Sequence, residues 1–530
     1  MATYAEPRTG APLSATLISS ITRRWPVIGI LALQALVSVV ALRNTAFQDE
    51  ALYLYAGRQI IHHWDGGPPL LENYTYYFSG YPYVYPVVGG FLDMVGGLEL
   101  ARDFSLACML GVTAIGYAVT AKLFGRRAAV FASAGYASTG SVLFVGRLAT
   151  FDAMCLLLIA SASALAIHGG MGRRPWGVLG IGPLLVVAIL AKYAALLFIL
   201  PVFALLACLG VPFLGWWRAI ARCALAAAGF AISLGVAYTI VNKSAFHAIS
   251  GSTTSRDVIL KGLRVDLFLH TLQMGGPGLL LAAVGLLLTL GLHWRYRILA
   301  VVMFGSAWLA PAYHIYVQES ISLDKHIAYA VFFAMPLAGY ALARLSGFER
   351  QTLSGTYRGY WLAGLAVLMA ILTLGLSQAR TLYTEWANTG ELSTALHSQL
   401  RDGSGRVLAE DIEVSRFDAM NVTEPWQWSG LRFLYYEDAA HHQYLGNPAI
   451  ARSLQDRYYD WVELSFIYIP DEANFTAEQM VQTRNYDLVA AILFSNSYGK
   501  GHFYVFRLSL TPGRGDFTSM TQLTKVSWVS

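Results

Sequence analysis

The chain has 530 residues, of which 56% are hydrophobic and 13% charged. A soluble domain carries roughly 25% charged residues, so the composition excludes a cytosolic enzyme, a disordered regulator and a secreted disulfide scaffold. A formal charge of +5 without a basic-aromatic stripe also argues against nucleic acid as a partner. Largely apolar runs such as Val27–Leu42 and Leu279–Leu292 mark a polytopic α-helical membrane protein, in contact with lipid along most of its length.

Spans of about 20 apolar residues are predicted at 26–44, 103–121, 127–146, 152–168, 176–191, 193–211, 219–241, 276–292, 298–315, 325–343 and 359–377, about eleven in all. The two around Lys192 can also be read as one broken helix. Residues 82–100 are apolar as well, but Pro82, Pro86 and two glycine pairs predict a surface-lying or re-entrant helix. The stretch after Arg23-Arg24 is read as a span rather than a cleaved signal, because no A-x-A-like site follows at Arg43-Asn44. The four cysteines, Cys108, Cys155, Cys208 and Cys223, fall in or beside apolar runs and read as small buried hydrophobes.

Basic residues set the expected orientation. Arg23/Arg24, Lys122/Arg126/Arg127, Arg173/Arg174, Arg218/Arg222, Arg295/Arg297 and Arg344/Arg350/Arg358 occupy alternate connections, which the positive-inside rule assigns to the cytoplasm. Segments 45–102, 147–151, 242–275 and 316–324 then lie outside, together with the tail. The expected setting is the cytoplasmic (inner) membrane of a bacterium. From residue 380 the chain gains charge, and 380–530 is long enough for one soluble domain. Strands are predicted at 406–409, 466–469, 488–494 and 503–510, and helices at 391–401 and 476–485, giving an extracytoplasmic α/β domain.

The chemistry gathers on the predicted outer face. Asp49 and Glu50 follow the first span; Asp49 reads as an N-cap or as a reactive carboxylate, and Arg58 falls on the same helix face as Glu50. Asp152 borders an apolar helix, where an acid is expensive unless it is paired or functional. Its candidate partner is Arg147. Lys192 reads as a snorkelling lysine or a phosphate ligand, and Lys325-His326 adds positive charge on the same side. A carboxylate base with Lys and Arg around a phosphate leaving group suits transfer from a lipid-borne phosphate. Two carboxylates such as Asp49 and Asp152 could also hold a divalent cation, so metal dependence stays open and no cofactor is certain.

Four stretches carry a resemblance. Asp49-Glu50-Ala51-Leu52-Tyr53, Leu123-Phe124-Gly125-Arg126-Arg127-Ala128, Arg147-Leu148-Ala149-Thr150-Phe151-Asp152, and Leu190-Ala191-Lys192 with Lys325-His326-Ile327-Ala328-Tyr329 and Pro336 stand in order over residues 25–345. Together they resemble the polyprenyl-phosphate-sugar-dependent GT-C glycosyltransferases, and among them glycosyltransferase family 39, which includes the protein O-mannosyltransferases and lipid A aminoarabinose transferases. The resemblance implies a GT-C-like catalytic domain over 1–379 and an inverting transfer of one sugar to a glycan, lipid or protein acceptor. By it, Asp49, Glu50 and Asp152 are the catalytic carboxylates. Arg58, Arg147, Lys192, Lys325 and Tyr53 meet the donor phosphate, and His326 and Tyr329 are further site candidates. Two departures stand out: Leu52 replaces an arginine, and Pro82-Tyr83-Val84-Tyr85-Pro86 replaces a Lys-Pro-Pro run. Phosphate binding then falls to the remaining basic residues.

Other signals are weaker. Asn73, Asn242, Asn421 and Asn474 open acceptor sequons that arise often by chance. Trp216-Trp217 lacks the Asp-Tyr-Gly continuation of oligosaccharyltransferases, against en bloc transfer to asparagine. Tyr458-Tyr459-Asp460-Trp461 and His441-His442 read as outer-domain residues, the aromatics as core. The rival classes are a transporter or lipid flippase, which would place charges at the midplane of repeated halves, and a non-catalytic receptor, which would not need the acidic constellation. The sugar, whether mannose, a pentose or a uronic acid, is left open.

Overall fold

A computed structural model describes residues 13–76, 78–172, 175–241, 261–347, 358–400 and 405–515. Arg173/Arg174, Arg350 and the Asn242 sequon lie outside the described residues. The chain forms two compact units. One comprises 1–42, 75–81 and 102–380. The other comprises 43–74, 82–101 and 381–530, so it takes in two segments expected to belong to the membrane domain.

Where no water can bond the backbone, helices satisfy it internally, and the apolar segments are helical. In chain order the helices are α1 (Leu13–Ala41), α2 (Gln48–Trp64), α3 (Tyr85–Phe124), α4 (Arg126–Ala137), α5 (Gly140–Gly146) and α6 (Phe151–Met171). Then come α7 (Ile181–Ala191), α8 (Ile199–Leu214), α9 (Trp216–Ile240), α10 (Arg264–Thr289), α11 (Trp294–Val317), α12 (Leu323–Leu345) and α13 (Arg358–Tyr383). Among the described residues eight helical segments are long and apolar enough to cross a membrane, or nine if α4 and α5, bent by 68°, form one span. The first and fifth predicted spans fall on shorter apolar segments, Trp25–Ala41 and Trp176–Ala191.

Residues 82–100 supply a helical stretch that begins at Tyr85 and is separated from the rest of α3 by non-helical backbone at Gly96 and Gly97, in keeping with a helix distinct from the span that follows. Gly97, at φ 69° and ψ −173°, adopts a conformation that favours glycine, and with Gly96 it makes the kink between the two helical stretches.

Within the first unit α12 is the most enclosed helix, with 94% of its apolar window buried. Small residues let its neighbours approach. A Cβ on Gly339 would fall 2.3 Å from the Ala128 carbonyl oxygen, so α12 and α4 touch backbone to backbone there. Phe198 stacks on Tyr329 and Phe333 of α12, with ring centroids 5.6 and 5.4 Å apart.

The second unit contains a five-stranded sheet. In chain order it adds α14 (Gly390–Leu400), β1 (Val407–Ala409), α15 (Ile412–Asp418), β2 (Trp428–Gly430), β3 (Tyr435–Glu437), β4 (Gln443–Leu445), α16 (Asn447–Gln455), β5 (Trp461–Leu464), α17 (Pro470–Thr483), β6 (Tyr486–Asn496) and β7 (Gly499–Leu508). The sheet order is β2-β1-β5-β7-β6. β1 pairs parallel with β2 and β5, while β7 pairs antiparallel with β5 and β6. Tyr459 and Trp461 are buried core residues, as their composition implied.

The predicted strand at 466–469 is absent, and Glu410 explains why. Its carboxylate accepts the backbone N–H groups of Ser465, Phe466, Ile467, Tyr468 and Ile469 at 2.6–3.3 Å, consuming the donors a ladder needs. The strand at this point is β5 instead. The following helix starts at Pro470 rather than 476, with Asp471 and Glu472 in its first turn.

Glu410→Ala would strand these donors and is expected to destabilise the unit by about 3 kcal/mol or more. Glu410→Gln, whose amide oxygen still accepts, should lose less; urea unfolding of the full-length protein in detergent reads both. A second outcome follows from Glu463, which burial and then the Glu410 charge raise from 4.5 to about 8. A raised acid contributes stability that is complete below its unfolded value and fades as pH rises through the folded one. The unit should therefore lose stability between about pH 4.5 and 8, and Glu463→Gln should flatten that slope.

Candidate active site

Each unit holds part of the predicted set. In the second unit, α2 begins after Phe47, whose extended backbone (φ −74°, ψ 151°) makes it the N-cap. Asp49 is therefore not the cap. Glu50, three residues on and fully buried, accepts the Phe47 N–H at 2.9 Å. Asp49 lies half-buried in the first turn, where the helix dipole favours negative charge. Tyr53 is buried with its ring edge-on to Tyr85, centroids 6.5 Å apart.

Arg58 pairs with Asp93 of α3 rather than with Glu50. Its Nε donates to the carboxylate, and a terminal nitrogen donates to the Asp93 carbonyl at 3.0 Å. Close packing makes this possible: a Cβ on Gly57 would sit 1.8 Å from the Pro86 carbonyl oxygen, so α2 and the start of α3 meet at bare backbone. The glycines near 89–90 serve that contact and cradle no phosphate. Arg416 of α15 lies 4.2 Å over the Tyr55 ring and pairs with Glu72.

In the first unit the centre is Asp152. Thr150 caps α6 with extended backbone (φ −128°, ψ 162°) and donates its hydroxyl to Asp152 Oδ2 at 3.2 Å. Asp152 is fully buried and forms an ion pair with Lys192. The lysine does not snorkel: only 3% of it is exposed, and its ammonium stands 5.0 Å over the Phe151 ring.

The backbone shows why Lys192 sits there. It breaks the helix after α7 with φ −153° and ψ 126°. Two hydrogen bonds to the 79–81 segment hold that break, Tyr81 N–H to the Leu190 carbonyl at 2.7 Å and Tyr193 N–H to the Ser79 carbonyl at 2.8 Å. Between them Gly80 lies so close to the Ala191 carbonyl oxygen that a Cβ would fall 2.2 Å from it.

Tyr329 joins the cluster by donating its hydroxyl to the Asp152 carbonyl at 3.0 Å. His326 lies edge-on to Tyr329, with centroids 5.7 Å apart, and bonds His314 of α11 at 2.7 Å. Lys325 is buried on the same turn of α12. Arg147, the expected partner of Asp152, is instead bound to Asp103 at 2.8 Å.

Sequence reasoning missed Asp93, Asp103, Arg416 and His314. Asp93 carried a usable signal, an acid within an apolar run. The others were hidden because their partners are distant in sequence. Among the described residues no group of three or more His, Cys, Asp or Glu is placed to hold a metal ion. Asp152 has its countercharge in Lys192.

Removing one partner of a buried pair leaves an uncompensated charge and costs about 3–5 kcal/mol. Lys192→Met is expected to lower stability by that amount. Adding Asp152→Asn should recover much of it, as a double-mutant cycle of thermal unfolding would show.

No protein-family profile matches the sequence, and no curated protein does. Solved structures match over most of the chain. ArnT from Cupriavidus metallidurans in the apo state is 16% identical, with 91% of this chain and 97% of that chain covered and a TM-score of 0.59. The same protein bound to undecaprenyl phosphate gives 16% identity, coverage of 91% and 98%, and a TM-score of 0.58. The archaeal oligosaccharyltransferase AglB from Archaeoglobus fulgidus, in complex with an inhibitory peptide and a dolichol-phosphate, is 12% identical, with coverage of 91% and 74% and a TM-score of 0.54. At such identity the likeness is one of architecture, and that architecture is the GT-C fold of membrane glycosyltransferases.

Proposed function

We propose that the protein is an integral-membrane, inverting glycosyltransferase that moves one sugar from a polyprenyl-phosphate carrier to a glycan, lipid or protein acceptor outside the cytoplasm. The observation that carries this reading is the buried Asp152–Lys192 pair within a GT-C fold. ArnT with undecaprenyl phosphate and AglB with dolichol-phosphate, both built on that fold, support a lipid-phosphate substrate. A bacterial inner membrane with the second unit extracytoplasmic is part of the proposal, and the basic loops support it.

The chemistry is a single displacement. An acceptor hydroxyl attacks the anomeric carbon as the bond from that carbon to the phosphate oxygen breaks. Asp49, the assigned base, takes the hydroxyl proton, and the polyprenyl phosphate departs with the bonding pair. Lys192 is assigned to the developing phosphate charge, since a charge-assisted bond in a low-dielectric setting is stronger than in water. Asp152 holds that ammonium in place. Arg58, Arg147, Lys325 and Tyr53 are assigned to donor binding, with Glu50 supporting the α2 start. The transporter reading finds less support, because the solved structures that share this fold are glycosyltransferases.

Asp49→Asn should reduce turnover about 10²–10⁴-fold, the usual loss for a general base, while thermal stability and donor binding persist. Near-normal transfer would remove Asp49 from the mechanism. For orientation, Asp65→Cys and Ser398→Cys occupy exposed positions. Both should react with an impermeant thiol reagent in intact cells; labelling only after permeabilisation would overturn the assigned sidedness.

A further inference from the structure

The hydrogen bonds of His314 and His326 dictate their tautomers. The Glu319 backbone carbonyl only accepts, so His314 Nδ1, 2.7 Å away, carries a hydrogen and donates it. Neutral His314 then presents a lone pair at Nε2, to which His326 Nδ1 donates across 2.7 Å. In neutral His326 the remaining nitrogen, Nε2, is a bare acceptor. It is buried, and among the described residues no donor reaches it.

A buried acceptor without a donor is costly and uncommon. The ring is also held in position by the bond to His314 and by Tyr329, against which it packs and which is itself tied to the Asp152 carbonyl. Lys192 and Lys325 lie within electrostatic reach of it. The lysines attract anionic oxygen, whereas a lone pair repels it and accepts a hydroxyl. The two kinds of group suit the two halves of a sugar phosphate.

We infer that His326 Nε2 accepts a hydrogen bond from a hydroxyl of the sugar on the lipid donor, with His314 as the positioning residue that fixes its tautomer. This rests on the donor class proposed above. Binding of three probes to the full-length protein in nanodiscs tests it: polyprenyl phosphomannose, polyprenyl phosphoarabinose and sugarless polyprenyl phosphate. His326→Phe should weaken the preferred sugar lipid by about 10-fold, the equivalent of one net hydrogen bond, and leave the sugarless lipid unchanged. His326→Gln, whose Oε1 can stand where Nε2 stood, should retain most of the preference. His314→Phe should lose part of it while still binding the sugarless lipid. Equal weakening of all probes, unchanged binding by His326→Phe, or a wild-type protein without preference for either sugar lipid would overturn the inference. If wild type binds none of the three, the donor class itself fails and the inference falls with it. Thermal unfolding checks each variant; should His326→Phe not fold, His326→Gln and His314→Phe carry the comparison.

Discussion

An acid and a lysine buried together in an apolar bundle constrain everything around them. Asp152 and Lys192 cannot be hydrated where they lie, so each is tolerable only while the other is in place. The Thr150 cap, the extended backbone at Lys192 and the hydroxyl of Tyr329 each bear on that requirement. The break between α7 and the Tyr193–Phe198 turn is therefore no accident of weak helix propensity, since the flanking residues are apolar and helix-compatible. It is held by hydrogen bonds from outside the helix.

The sequence made the architecture legible where a single physical rule dominates. Each predicted apolar span falls on helix, because hydrophobic length alone decides that outcome. One boundary between the two units lies between Arg380 and Thr381, while 43–74 and 82–101 also belong to the second unit. Strands β6 and β7 were visible through their composition. What failed did so for identifiable reasons. Residues 466–469 have strand composition, but Glu410 captures their N–H groups, and no local pattern reports a carboxylate 55–59 positions away. Over residues 82–100 the glycine signal was informative: Pro86 lies in the first helical turn, and Gly96 and Gly97 separate that helix from the one that follows.

In the buried cluster, some of the neighbours were legible and the charge pairing was not. Asp152, Lys192, Tyr329 and His326 gather in one cluster within the first unit, as their shared face suggested. Their partners could not be assigned from proximity in sequence: Arg147 turned to Asp103, and Arg58 to Asp93. Charge pairing depends on which helix faces meet, and short-range spacing carries little of that information. His314 lay beyond reach for the same reason, although it governs the proton arrangement of a neighbour twelve residues later.

The strap formed by residues 79–81 also has a meaning in time. It precedes Lys192 in the chain, and so does Asp152. During synthesis the acid enters the bilayer one helix ahead of its countercharge, and the segment that will pin the lysine is already waiting when it emerges. A chain arrested after α6 thus displays an unpaired carboxylate, an anchor ready for the lysine and nothing to fill it. In the order of the sequence, both the acid and the strap stand ahead of the lysine that joins them.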